Sequence, residues 1–147
     1  FAHGYTYAGN PLACAAGNAV LREVLDRGLI DNARRMGELL EQQLQELMER
    51  FALIGDVRGK GLLLAFELVA DRDTMEPLPV ALNAHTELVE EAYRRGLIIY
   101  ARRTRGGCKG DHFMVCPPLI VDETQIDEIM QLLVASIDGF ANKAGLG

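Results

Sequence analysis

The segment VRGKGLLLAFELV, residues 57–69, decides the fold of this 147-residue chain. Short apolar runs separated by a glycine-containing tetrapeptide are typical of two strands joined by a tight turn. We therefore predict strands at 52–57 and 62–69, with the turn at 58–61. The run LLLAF is apolar at successive positions, and this pattern predicts a strand covered on both faces.

Helices are predicted on both sides of this strand pair. Asn10 followed by Pro11 is typical of a helix start, and Gly28 is expected to end that helix. Two further segments repeat apolar residues at helical spacing, and Asp122 with Gln125 resembles a capping box at the start of the second one. The repeating residues are Met36, Leu40, Leu44, Leu47, Met48 and Phe51 in the first and Ile126, Ile129, Met130, Leu133 and Ile137 in the second.

The remaining segments complete an α+β pattern. They are predicted as a loop at 70–82, a helix at 83–95, a strand at 97–100, a basic glycine-rich loop at 101–111 and a strand at 112–116. Runs of helices and strands in this order predict a small, mostly antiparallel sheet covered by helices.

Composition excludes several classes of protein. The net charge of −6 argues against a nucleic-acid partner, and no apolar run reaches the roughly 20 residues that cross a bilayer. Three cysteines without a CxxC pair are typical of reduced thiols, so we expect a cytoplasmic protein. The three histidines, His3, His85 and His112, lack the spacing of metal ligands, so no metal site is predicted.

Two segments are candidates for binding chemistry. HGYTYAGNP, residues 3–11, runs from a glycine-bracketed turn into a helix N-terminus, where N–H groups and the Thr6 hydroxyl suit a phosphate. An ordinary capped loop is the simpler alternative. Arg102, Arg103 and Arg105 lie in one glycine-rich loop, which is either a solvated basic loop or the source of an arginine that binds a carboxylate in a bidentate manner.

Three segments together resemble the class III aminotransferases. FAHGYTYAGNPLACAAGNAVL, residues 1–21, resembles the family's HG-x-TY-x-G-x-P-x-x-x-A-A segment, and VRGKGLLLAFELV is similar to its VRG-x-GL strand pair. GLIIY (96–100) and GDHFMVCPPLIVDETQIDEI (110–129) resemble its closing strand, double proline and last helix. The matches follow the family's order from Phe1 to about Ile137.

The resemblance implies that residues 1–147 are the C-terminal small domain of a fold type I enzyme, with 1–28 leading in from a large domain. Such enzymes use pyridoxal 5'-phosphate (PLP) to move an amino group from an amine or omega-amino acid to a keto acid. It also implies a homodimer or larger homo-oligomer, in which Thr6 and the backbone at Tyr5 contact the phosphate of the partner subunit's cofactor.

The resemblance leaves the substrate arginine open. Many omega-aminotransferases carry an arginine directly after the LII strand, where this chain has Tyr100. Arg102, Arg103 or Arg105 is then the candidate for binding a substrate carboxylate. The alternatives are a different mode of carboxylate recognition or a preference for amines without a carboxylate.

The family's Schiff-base lysine matches no lysine of this chain. We therefore predict that the chain alone does not transaminate, and that its uncovered surface makes it self-associate. An aminomutase or racemase of the same family is one alternative function. A free-standing, non-catalytic module for binding or oligomerisation is another.

Overall fold

A computed structural model describes residues 3–104 and 109–146, which form four α-helices and five strands. In chain order these are α1 (Pro11–Asp26), α2 (Leu29–Arg50), β1 (Ile54–Lys60), β2 (Leu63–Asp71), β3 (Glu76–Pro77), a 3-10 turn (Val80–Leu82), α3 (Ala84–Arg94), β4 (Tyr100–Thr104), β5 (Lys109–Val115) and α4 (Glu123–Ala144). The predicted α+β class is confirmed.

The sheet has the strand order β1-β2-β5-β4, and the two-residue β3 pairs with β2. Every pairing is antiparallel. Phe66 on β2 lies opposite Phe113 on β5, and their rings stack with centroids 5.0 Å apart. The middle of the core is therefore an aromatic pair between the two central strands.

Helices α2, α3 and α4 bury their apolar stripes against one face of this sheet. The stripes predicted from helical spacing are confirmed for α2 and α4, whose buried residues include Met36, Leu40, Leu44, Leu47, Ile126, Met130, Leu133 and Ile137. The Asp122–Gln125 capping box is present as predicted. Arg72, which follows β2, donates to the carbonyl oxygens of Met48, Phe51 and Ile54, so one side chain ties the end of α2 to the start of β1.

The prediction that LLLAF is covered on both faces is wrong. Leu64 and Phe66 are fully buried under the helices, whereas Leu63 is 59% exposed. Burial alternates because, among the described residues, helices pack on only one face of the sheet. The apolar residues on the other face remain open.

Several boundaries also differ from the prediction. β1 continues to Lys60, so the turn lies at Gly61 and Leu62 and not at 58–61. Segment 70–82 contains β3 and the 3-10 turn in addition to loop. The predicted strand at 97–100 reaches the sheet only at Tyr100.

The predicted loop at 101–111 is wrong in its larger part, because β4 takes residues up to Thr104 and β5 begins at Lys109. Arg102 and Arg103 therefore lie on an edge strand. The composition of this segment is typical of a loop, but pairing with β5 makes it a strand. The tendency of a segment to form a strand depends on its partner strand and on its packing.

Helix α1 stands apart from this core. Asn10 caps it, as predicted, with its Oδ1 accepting the Ala13 N–H at 3.1 Å. Gly28, with a φ of 61°, separates it from α2. All described residues of α1 are exposed except Val24, which is half-buried.

Candidate functional site

The turn that precedes α1 is built by two consecutive backbone hydrogen bonds. The Ala8 N–H donates to the Tyr5 carbonyl at 3.0 Å, and the Asn10 N–H donates to the Tyr7 carbonyl at 3.1 Å. Gly9 takes a φ of 79°, which the second turn requires and which glycine adopts without strain. Thr6 is thereby held on an exposed turn that runs directly into the N-terminus of α1.

The charge pattern of this turn suits an anion. Residues 4–21 contain no Asp, Glu, Lys or Arg, and the first turn of α1 has no acidic residue. Acidic residues often occupy a helix's first turn because they compensate its partial positive charge. Here that charge stays uncompensated beside the Thr6 hydroxyl, so the turn offers neutral donors and a favourable dipole to an anion.

The structure separates the predicted arginines. Arg102 is exposed, and its guanidinium carbon lies 5.7 Å from the centre of the Tyr100 ring. Arg103 instead turns into the core, where its side chain is only 9% exposed. Arg105 lies outside the described residues.

Arg103 binds the buried carboxylate of Asp111, which lies opposite it on β5. Its Nε donates to Oδ1 at 2.9 Å, and its Nη2 donates to Oδ2 at 3.4 Å. Nδ1 of His85, on α3, is 3.2 Å from Oδ1, but the angles do not make a hydrogen bond. Two-point contact of this kind fixes both side chains.

Sequence reasoning missed this ion pair, because Arg103 and Asp111 both fell in the predicted loop at 101–111. A usable signal was present. Phe113 and Val115 are two residues apart, as residues on one face of a strand are, and Asp111 has the same spacing from Phe113. This spacing places the aspartate on the core face, where a carboxylate requires a cationic partner.

The two candidate groups lie on different elements, Tyr5 and Thr6 before α1 and the arginines on β4. In residues 3–104 and 109–146 no group of three His, Cys, Asp or Glu side chains is placed to hold a metal ion. None of the helices in that part of the chain has the length and apolarity to cross a membrane.

Both the fold and the sequence of this chain are similar to those of known transaminases. An amine transaminase from an uncultivated Pseudomonas species, solved in a PLP-bound form, superposes with a TM-score of 0.80 and 38% identity. The match covers 93% of this chain and 29% of that one. The family model for class-III aminotransferases matches residues 1–137, so the chain belongs to the class III aminotransferase family.

Curated relatives agree with the family and show its breadth. The uncharacterized aminotransferase YodT of Bacillus subtilis is 34% identical over 135 residues, which are 91% of this chain and 30% of YodT. A leucine/methionine racemase of Thermococcus litoralis is also 34% identical, over 92% of this chain and 28% of the racemase. The chain thus spans less than a third of the length of the relatives it matches.

Proposed function

We propose that this chain is the C-terminal small domain of a PLP-dependent class III aminotransferase, which moves an amino group from an amine or omega-amino acid to a keto acid. The uncharged, exposed turn at Thr6, directly before a helix N-terminus, is the observation that carries the proposal. Family membership over residues 1–137 and a PLP-bound relative support it.

In this proposal the Thr6 hydroxyl donates a hydrogen bond to a phosphate oxygen of the cofactor, and the backbone at Tyr5 lies beside it. The turn suits the group sterically, because even a Cβ added at Gly4 or Gly9 would meet nothing within 4 Å. When bound, PLP acts as the electron sink for the substrate amine. In a homodimer or larger homo-oligomer, the turn serves the cofactor of the partner subunit.

Because residues 4–21 carry no cation, they orient the phosphate without neutralising it. The counter-charge must then come from other groups of the assembled enzyme. The Schiff-base lysine is likewise expected from the part of the longer relatives that this chain does not match. Lys143 pairs with Glu87 and Lys60 lies on β1, so both have structural explanations.

For the substrate carboxylate, the contacts favour Arg102 over Arg103. Arg102 is exposed and stacks on Tyr100, whereas Arg103 would have to leave a buried aspartate. Breaking such a pair leaves an uncompensated buried charge and costs several kcal/mol. Arg105 stays a candidate on the resemblance alone.

Exposed, unpaired thiols at Cys14 and Cys116 are compatible with the proposed cytoplasmic location.

A chimera tests the proposed function. Residues 1–137 replace the matching segment of the Pseudomonas amine transaminase, and turnover of an amine donor with a keto acid is measured with PLP. We expect turnover in the chimera and none with this chain alone. A chimera that is folded by circular dichroism yet inactive would contradict the proposal, as would sustained turnover by the isolated chain. If the full replacement does not fold, a smaller one with residues 3–28 keeps the test available.

The same chimera tests Thr6. Replacing Thr6 by Val should raise the Kd for PLP at least about tenfold, since a hydrogen bond to a charged group contributes about 1.5–3 kcal/mol. Thr6→Ser keeps the hydroxyl and should bind PLP as the parent does. Thr86→Val, on the exposed side of α3, is the matched control. An unchanged Kd in Thr6→Val would remove the phosphate role.

An isomerase is the second candidate, favoured by the racemase of Thermococcus litoralis, which matches 92% of this chain. A racemase or aminomutase returns the amino group to its own substrate and needs no external acceptor. Dependence of the complete enzyme on an added keto acid therefore separates the two functions. Turnover at the full rate without an acceptor would favour the isomerase.

A further inference from the structure

β4 carries two adjacent arginines that point to opposite faces of the sheet. Successive side chains of a strand alternate between the two faces. Arg103 lies opposite Asp111 and turns into the core. Arg102 therefore lies on the face turned away from α2, α3 and α4, where it is exposed and stacks on Tyr100, two residues earlier on the same face. Any contact that fixes the direction of Arg103 also fixes the direction of Arg102.

β4 is an edge strand with few apolar contacts of its own. In the described part of the sheet it pairs with β5 on one side only. Ile99, just before the strand, is buried, and Ala101 is half-buried opposite Phe113. Both residues precede Arg102, and the alanine methyl group buries little apolar surface. The next side chain on the core side, beyond Arg102, is that of Arg103.

The Arg103–Asp111 pair is therefore the anchor of β4 on the far side of Arg102. The guanidinium donates to the two carboxylate oxygens at 2.9 and 3.4 Å, and the Asp111 side chain is only 2% exposed. Asp111 belongs to β5, which pairs with β2 as well as with β4. The pair thus ties an edge strand to the middle of the sheet.

We propose that Asp111 is a positioning residue, which acts through Arg103 to hold β4 so that Arg102 faces a substrate carboxylate. The inference rests on the proposed function, in which Arg102 binds that carboxylate. Asp111 is buried on the other side of the sheet from Arg102, so it acts without touching the substrate. Its effect is on the affinity for amines that carry a carboxylate, and the rate of amino transfer does not depend on it.

The first test follows the position of residue 102 in this chain without PLP. Arg102→Cys, in a chain whose three native cysteines are replaced by serine, is labelled with a nitroxide. Electron paramagnetic resonance then reports how mobile the label is. Adding Asp111→Asn should make the label clearly more mobile, because Arg103 loses its partner and no longer holds β4. If Asp111→Asn does not fold, Arg103→Lys makes the same comparison, since it keeps the charge but loses the two-point contact.

Gly37→Ala is the matched control for this measurement. An added Cβ at Gly37 would meet the backbone of Gly61, so this variant should also be destabilised, but at a place away from β4. The label at residue 102 should keep the parent spectrum in it. An unchanged spectrum in Asp111→Asn, or an equal change in Gly37→Ala, would overturn the proposal.

The second test uses the chimera described above and two amine donors of equal chain length, 6-aminohexanoate and hexylamine, of which only the first has a carboxylate. The reaction of each donor with the PLP-loaded chimera is followed by absorbance without a keto acid, which gives a Kd and a limiting rate. Asp111→Asn should raise the Kd for 6-aminohexanoate at least about tenfold. The limiting rates and the Kd for hexylamine should stay within about twofold of the parent.

Equal rises in Kd for the two donors would reduce Asp111 to a structural role and overturn the proposal. Gly37→Ala should leave both constants as in the parent. If the parent chimera converts neither donor, the proposed function fails, whereas the spin label still decides whether Asp111 holds residue 102 in place. The two failures are thereby distinguished.

Discussion

Asp111 is a charged residue that lies in the buried core. Its carboxylate is almost completely buried on the core face of β5, in the register row that also holds Leu68. Arg103 compensates the charge through two contacts. A buried pair of this kind contributes little net stability, but either partner alone is costly in the core.

Replacing Asp111 by Asn should therefore lower the free energy of unfolding by about 3 kcal/mol, because Arg103 is left buried without a counter-charge. Urea unfolding followed by circular dichroism measures it. Asp138→Asn is the control, since Asp138 binds Arg50 at the surface and such pairs contribute at most about 1 kcal/mol. If both variants lost the same free energy of unfolding, the Asp111–Arg103 pair would not be buried from solvent in the way that the structure shows.

At this scale the sequence predicted hydrogen bonds within one turn of the chain better than contacts between strands. The capping role of Asn10 could be predicted because it depends on residues within one turn of the chain. The Arg103–Asp111 pair joins two strands, and its existence depends on their register. Local composition does not contain that register.

Among the elements, α2 and the β1–β2 turn approach each other closely. A Cβ added at Gly37 of α2 would lie 2.6 Å from the carbonyl oxygen of Gly61 and still closer to other atoms of that backbone. Gly61 itself takes a φ of 56°. Two glycines thus allow a helix and a turn to touch without intervening side chains.

Gly37→Ala should destabilise the fold by about 1–3 kcal/mol, the usual cost of overpacking, although alanine normally favours a helix. Gly17→Ala is the matched control, because Gly17 lies in α1 with nothing within 4 Å of its added Cβ. There the change should be neutral, or stabilising by about 0.5–1 kcal/mol. Chemical denaturation of the two variants gives both values, and a stabilised Gly37→Ala would show that α2 does not sit so close to the turn.

Helices were easier to predict than strands for a physical reason. The stripes of α2 and α4 repeat within the element itself, so their periodicity is visible in one segment. β4 is defined by pairing with β5, and its sequence YARRT shows no alternation of apolar and polar residues. Likewise, whether one face of β2 is exposed depends on where the helices pack, and the run LLLAF alone does not specify this.

Over the whole molecule, carboxylates engaged in ion pairs and turns link stability to acid pH. The Lys143 ammonium on α4 lowers the pKa of Glu87 on α3, and Arg95 lowers the pKa of Glu91. The backbone N–H of Thr74, followed by its hydroxyl, lowers the pKa of Asp71. These groups bind protons more weakly in the folded state than in the unfolded chain.

The sign follows from linkage. Stability from these carboxylates is fully present above their ordinary pKa of about 4, and it is lost as the pH falls through the lower folded values. The melting temperature should therefore be constant from pH 7 to about 5 and fall below pH 4. Glu87→Gln should show a smaller fall than the parent, with Glu90→Gln as the exposed control. Identical pH profiles for Glu87→Gln and the parent would exclude the Lys143 contact as a source.

The projecting helix α1 has a mechanical consequence. Its 16 residues make a rod about 24 Å long, so a tilt of about 10° at Gly28 moves the Thr6 end by about 4 Å. A hydrogen bond tolerates only about 0.5 Å of such movement. In the proposed role, Thr6 can be held at a phosphate only when other protein surface contacts the side of α1. Residues 4–21 are uncharged, so they can accept such contact without desolvating an ion. Positional accuracy at the turn is in this sense set by the whole length of α1.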